Sequence, residues 1–151
     1  MTEETKIVGM KELYEALSTK IPRNMEGKVL QKALGRGTLI LKRQVEQNIG
    51  PGYPFPKDVT GTLRRSVYAK RSKFDNTATF EARIVGIRHG RAAAKRKLDA
   101  YYATWVEFGH KGVSARPFMR PAFETTKGRA FTAILDGLAT QLDVAKKGAN
   151  W

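Results

Sequence analysis

The chain holds two histidines, His89 and His110, with the carboxylates Asp99 and Glu107 between them. Acid–base or metal chemistry would have to be built from these four groups. General acid–base catalysis needs partners within hydrogen-bond reach of one reacting proton, and a zinc-type site needs three or four ligands at defined spacing. Neither histidine stands at ligand spacing from a second ligand, and no Gly-x-Ser-x-Gly, His-Glu-x-x-His or phosphate-binding glycine loop occurs. Gly86 and Gly90 bracket a short segment, without the flanking pattern of a phosphate loop. The absence of cysteine excludes disulfides, thiolate metal sites and a thiol nucleophile. The expectation is a protein with no enzymatic activity, no cofactor and no metal.

Charge is the more informative chemistry. The 151 residues carry 28 Lys and Arg against 14 Asp and Glu, a net +14. Residues 61–97 hold +9 of it. A chain this basic needs an anionic neighbour or must tolerate its own repulsion. The residues available for contact are Arg64, Arg65, Lys70, Arg71, Lys73, Arg88, Arg91, Lys95, Arg96 and Lys97, interleaved with Tyr68 and Phe74. Such residues neutralise phosphates and release counterions, which gives salt-sensitive, sequence-independent affinity for nucleic acid. They fit an acidic protein partner, or a simply solvated face, equally well.

A third group is aromatic: Tyr101, Tyr102, Trp105 and Phe108 lie close together, ending at Gly109. Side chains of this size either fill the core or, in a small domain with little interior, a subunit interface. Glu107 within this run is costly to bury alone. Arg116 and Arg120 are the cations expected to meet it.

The elements that position these groups follow from periodicity. Hydrophobic residues at 41% and charged residues at 28% suit one folded α+β domain over residues 1–151. Met10, Leu13, Tyr14 and Leu17 predict a short amphipathic helix over 9–20. Val29, Leu30, Ala33, Leu34, Ile40, Leu41, Val45 and Ile49 predict a longer one from Asn24, stopped by Gly50-Pro51. Gly35 and Gly37 inside it point to close packing or a bend. The proline-rich segment 50–58 is an exposed connection, and Thr60-Gly61-Thr62-Leu63 a turn into a strand. Residues 66–74 and 77–85 alternate around Asp75-Asn76, which predicts an antiparallel β-hairpin. Ala78, Phe80, Ala82 and Ile84 form its apolar face, and Thr77, Thr79, Glu81 and Arg83 its wet face. Residues 87–97 form a basic insert that offers little to a core, either a mobile loop or a helix that orders on contact. Asp99 either caps a short helix or leads a strand through Phe108. Pro121 suits a helix first turn, and Phe123, Phe131, Ile134, Leu135, Leu138 and Leu142 extend a C-terminal helix over 121–145. There is no apolar run of the roughly 18 to 20 residues that a membrane span needs, and no leader pattern, so synthesis in the cytosol without a membrane partner is expected.

Four segments occur in a fixed order: Ile7 to Leu13, Thr60 to Ser66, Tyr102-Ala103-Thr104-Trp105-Val106-Glu107-Phe108-Gly109, and Ala115-Arg116-Pro117-Phe118-Met119-Arg120-Pro121-Ala122. Together they resemble the neck, or tail-completion, proteins of long-tailed bacteriophages, the head–tail joining family related to the lambdoid minor tail component. The likeness runs over nearly the whole chain. Two departures stand out: His110 follows Glu-Phe-Gly where the family has a hydroxyl residue, and segments 50–58 and 87–97 are longer than typical. The resemblance implies a structural virion protein: a ring subunit, expected as a hexamer, between tail-terminator and head-closure or connector rings, with genomic DNA in the lumen. It implies a place in the tail neck of the virion, and in the host cytoplasm during assembly. Under it, Thr60, Gly61, Leu63, Tyr102, Trp105, Glu107, Phe108, Gly109, Arg116, Pro117, Phe118, Arg120 and Pro121 are structural and interface residues, and the basic insert and wet hairpin face are the contact surface. A standalone basic nucleic-acid-binding protein is the alternative.

Overall fold

The computed structural model describes residues 23–50, 61–73 and 80–148. The expected helix over 9–20, the connection from Pro51 to Asp58, Thr60 and the hairpin turn at Asp75-Asn76 lie outside them. Helix α1 spans Arg23–Asn48, and a single helical turn, α2, spans Thr62–Arg65. Strands β1 (Val67–Arg71) and β2 (Arg83–Ile87) pair antiparallel. Short helices α3 (Arg91–Ala94) and α4 (Ala103–Phe108) follow, and α5 (Met119–Gly148) closes the chain. The fold is mixed helix and sheet with a long C-terminal helix, as the periodicity predicts.

Helices α1 and α5 run antiparallel, as the contacts from Asn48–Phe118 to Ala33–Gly137 require. Along α1 the buried row is Val29, Ala33, Gly37, Val45 and Ile49, with Leu41 packed against the core. On α5 it is Ala122, Thr126 and Leu138, with Ile134 partly buried. Both rows repeat at i+4, the ridge that interlocks most readily between helices. This corrects the expected stripe: Phe123 and Phe131 are exposed, and Leu142 lies beyond the described side chains. Small residues hold the seam because the backbones approach closely. A Cβ on Gly37 would stand 2.6 Å from Ile134 Cγ1 and 2.8 Å from the Ala130 carbonyl oxygen. Replacing Gly37 with alanine is therefore expected to destabilise the protein by about 1–3 kcal/mol through overpacking, although helix propensity alone would favour it by about 1 kcal/mol. Equilibrium denaturant unfolding measures the sign directly.

The sheet packs one face against α1. The register pairs Val67 with Ile87, Ala69 with Val85 and Arg71 with Arg83 on that face, and Tyr68 with Gly86 and Lys70 with Ile84 on the other. From Phe80 onward the expected faces of the second strand are thereby inverted, while Thr77, Ala78 and Thr79 lie outside the described residues. Phe80 and Ile84 are exposed, while Glu81 is buried and Arg83 reaches under the sheet to donate to the Gln31 carbonyl at 2.8 Å. The strand runs two residues beyond Val85, and residues 80–82 ahead of it are not strand. The inward Glu81 is held by Arg71, whose Nε lies 2.7 Å from Glu81 Oε2, while Arg83 Nε stands 3.9 Å from Glu81 Oε1, an ion pair that leaves both of those buried atoms without a hydrogen bond.

The basic insert is built into the fold. Arg88 N–H extends the ladder to the Ser66 carbonyl, Ala100 N–H returns to the Arg88 carbonyl, and Gly90 N–H donates to Asp99 Oδ1 at 3.0 Å. Ala93 is buried, so the insert does contribute to packing. Asp99 thus ties the insert down, and the segment after it is helical. Likewise Thr62 opens a helical turn before the strand begins, with Gly61 ahead of it in the left-handed region.

Candidate functional site

The main core gathers where α1 ends, α4 runs and α5 starts. Val45, Ile49, Leu63, Val67, Ala103, Val106 and Phe118 pack there, with Tyr102 against them. At the centre of this junction sits Glu107, only 7% exposed. The Arg120 guanidinium, one of the two cations expected to meet it, lies over the Phe108 ring. The Glu107 carboxylate accepts backbone N–H groups: Phe118 at 2.7 Å and Met119 at 2.9 Å on Oε2, and Arg120 at 3.1 Å on Oε1. A helix begins with four N–H groups that have no intrahelical acceptor. Here three of them bond to Glu107 and the fourth position is Pro121, which has no N–H. The carboxylate also faces the positive end of the α5 dipole.

The connecting segment is built to bring Glu107 there. Gly109 turns the chain at φ 75°, ψ 171°, a conformation close to glycine-only. Its Cβ position is filled by backbone, 2.8 Å from Ala115 N and 2.9 Å from Val113 O. His110 and Val113 then exchange backbone hydrogen bonds, and Arg116 N–H returns to the Val106 carbonyl. Pro117 is exposed before Phe118, which is fully buried. Asn48 Nδ2 donates to the Phe118 carbonyl at 3.0 Å, joining the end of α1 to the same point. The two motifs around Glu107 and Phe118 are therefore one structural lock.

The groups weighed for catalysis are dispersed by this arrangement. Glu107 serves the helix, Asp99 serves Gly90, and both histidines are exposed, His110 against the Trp105 ring at 5.6 Å. Among the described residues no group of three or more His, Asp and Glu side chains is placed to hold a metal ion, and no helix is long and apolar enough to cross a membrane.

Two surfaces remain. The first is apolar: Tyr101, Phe108 and Phe123 are each at least half exposed around an open groove of about 720 Å³ between α4, the start of α5 and β2, and Trp105, also half exposed, lies against Tyr101. Tyr101 stacks edge-on to Tyr102 and Trp105, and the Arg120 guanidinium lies over the Phe108 ring. The second is basic. Lys70 Nζ and Arg88 Cζ lie 5.1 and 5.4 Å from the Tyr68 ring centroid, beside a hollow of about 380 Å³ that Arg96 also lines. Arg91, Lys95 and Lys97 are exposed on the same insert. Arg64 and Arg65 are exposed on α2, and Lys73 beyond β1, outside that hollow. Arg71 is engaged by Glu81. Sequence reasoning passed over two residues here, Tyr68 as an organiser of cations and Glu81 as an inward anion. The signal for the second was an acid flanked at matching register by Arg71 and Arg83. No family model, curated protein or solved structure matches this chain.

Proposed function

We propose that the chain is a structural subunit of a phage neck, a ring component completing the head-proximal end of a long tail and joining it to the head. In this reading a hexameric ring meets the tail terminator on one side and a head-closure or connector ring on the other, with the genome passing through. The ordered motifs supply the class. The observation that carries the oligomer is the apolar groove, rimmed by Tyr101, Phe108 and Phe123, each 53% to 65% exposed. Clustered exposed aromatics on an otherwise polar chain mark an interaction surface, and aromatic residues are enriched at protein interfaces. A role without turnover is supported by the engagement of Glu107 and Asp99 in backbone hydrogen bonds.

The purified chain is expected to assemble with rising concentration into rings visible by negative-stain electron microscopy, and to be found at the neck in images of the intact particle. Its absence from the particle would sink the proposal. Changing Tyr101 and Phe123 together to serine is expected to hold the chain monomeric in sedimentation velocity with little change in thermal midpoint, because both side chains are already exposed. The basic hollow at Tyr68 favours the alternative, a standalone nucleic-acid-binding protein. That alternative predicts a monomer at every concentration.

A further inference from the structure

Tyr68 stands on the open face of the sheet, opposite Gly86, where the missing side chain leaves room for the ring to lean across the partner strand. Lys70 lies two residues further along β1, and Arg88 is bonded across to Ser66, two residues back. The register thus sets the two cations on opposite sides of Tyr68 along the strand axis, both within cation–π distance of one ring. The third wall of the hollow is α3. Its Ala92 and Ala93 leave the floor shallow, and Arg96 follows them at the rim. The hydrogen bonds of Arg88, Gly90 and Ala100, with Ala93 buried beneath, fix this wall before any partner arrives. A held scaffold lowers the ordering cost of binding.

We propose that Lys70, Arg88 and Arg96 form a phosphate clamp, organised by Tyr68, that grips the backbone of duplex DNA without reading its sequence. Three features select this partner. Three cations that form no ion pair among the described residues converge on one hollow, whereas Arg71 and Arg83 are engaged by Glu81. The aromatic ring already carries two cations within cation–π distance and leans on Gly86, whereas single-strand recognition depends on free aromatic faces. Apart from Tyr68 and Ile87 the apolar lining of the hollow is alanine, so a protein partner finds no deep apolar anchor of the kind that dominates protein–protein affinity. What remains is charge at fixed positions, which suits phosphate oxygens. Tyr68 is a positioning residue in this scheme.

The test is fluorescence anisotropy of a short labelled duplex with the full chain, titrated across about 50 to 200 mM salt. Neutralising all three cations as Lys70→Ala, Arg88→Ala and Arg96→Ala is expected to weaken binding and to reduce the slope of log K against log salt by about 2 to 3. Lys127→Ala, at an ion-paired lysine on α5, leaves the slope in place. Tyr68→Leu keeps every charge yet lowers affinity several-fold at fixed salt, and Tyr68→Phe restores it because only the ring is needed. An unchanged slope in the triple variant overturns the clamp. So does tighter binding of a single strand than of the duplex, or competition by polyglutamate as effective as by unlabelled duplex. The clamp belongs to one chain and does not need the ring: a monomer that binds DNA overturns only the neck proposal, and a ring with no DNA affinity overturns only the clamp.

Discussion

Replacing Glu107 with alanine is expected to lower the unfolding free energy by about 3–5 kcal/mol, the range reached when a buried charge-assisted network is broken. The substitution removes both acceptors from the amides of Phe118, Met119 and Arg120 at once. Hydrogen bonds to a charged group contribute about 1.5–3 kcal/mol each, and orphaned buried donors add their desolvation cost. Water relieves part of this at Arg120, which is exposed, and none at Phe118, which is 1% exposed. Glu107→Gln separates charge from shape. Its carboxamide offers one acceptor and turns an N–H group towards a donor, so a loss of about 2–3 kcal/mol is expected. Denaturant unfolding followed by circular dichroism gives both values. Wild-type stability in the alanine variant would show that the helix start has another acceptor.

The second large effect is expected at Gly109. Alanine there must adopt φ 75° with ψ 171°, which costs an L-residue about 1–3 kcal/mol in backbone strain. Its methyl must also displace the backbone at Val113 and Ala115, which lie under 3 Å from the Cβ position. The combined loss is set at about 3–4 kcal/mol, measured as a fall in thermal midpoint. A control at Gly112 distinguishes the two causes: it also has positive φ, at 83°, with nothing within 4 Å of its Cβ position. Gly112→Ala should cost about 1 kcal/mol, the strain alone. Equal losses at both positions would mean that the close approach at Gly109 has no energetic weight.

How much of this was legible in the sequence depends on what kind of partner each residue has. Helix α1 was readable almost to the residue, because its apolar positions recur at helical spacing and Gly50-Pro51 stops it. The sheet faces were not. Phe80 and Ile84 are more apolar than Glu81 and Arg83, which alternate with them, and period two reports two faces without saying which is covered. Val85 and Ile87, in phase with Glu81 and Arg83, held the answer, but only if two inward residues of opposite charge were allowed on the covered face. On α5 Ile134 and Leu138 of the expected stripe do face α1, but the aromatics Phe123 and Phe131 do not, and the rest of the seam belongs to Ala122, Thr126 and Gly137, whose smallness carries no hydrophobic signal. Glu107 was recognised as needing a partner, and the search was for a cation. Backbone amides have no letter in the sequence. The available clue was Pro121, a residue without an N–H at the one helix-start position that Glu107 does not reach.

The same lock has a consequence for the order in which the chain folds. Glu107 and Phe118 are 11 residues apart, whereas Asn48 and Phe118, which join α1 to α5, are 70 apart. Closing the longer loop costs about 1.5 kcal/mol more in chain entropy. The short clip can therefore form before the two long helices meet, starting α5 at a fixed residue and leaving its small-residue seam as a track on which α1 docks last. In chevron kinetics, Glu107 substitutions should then slow folding, while Gly37→Ala should mainly speed unfolding.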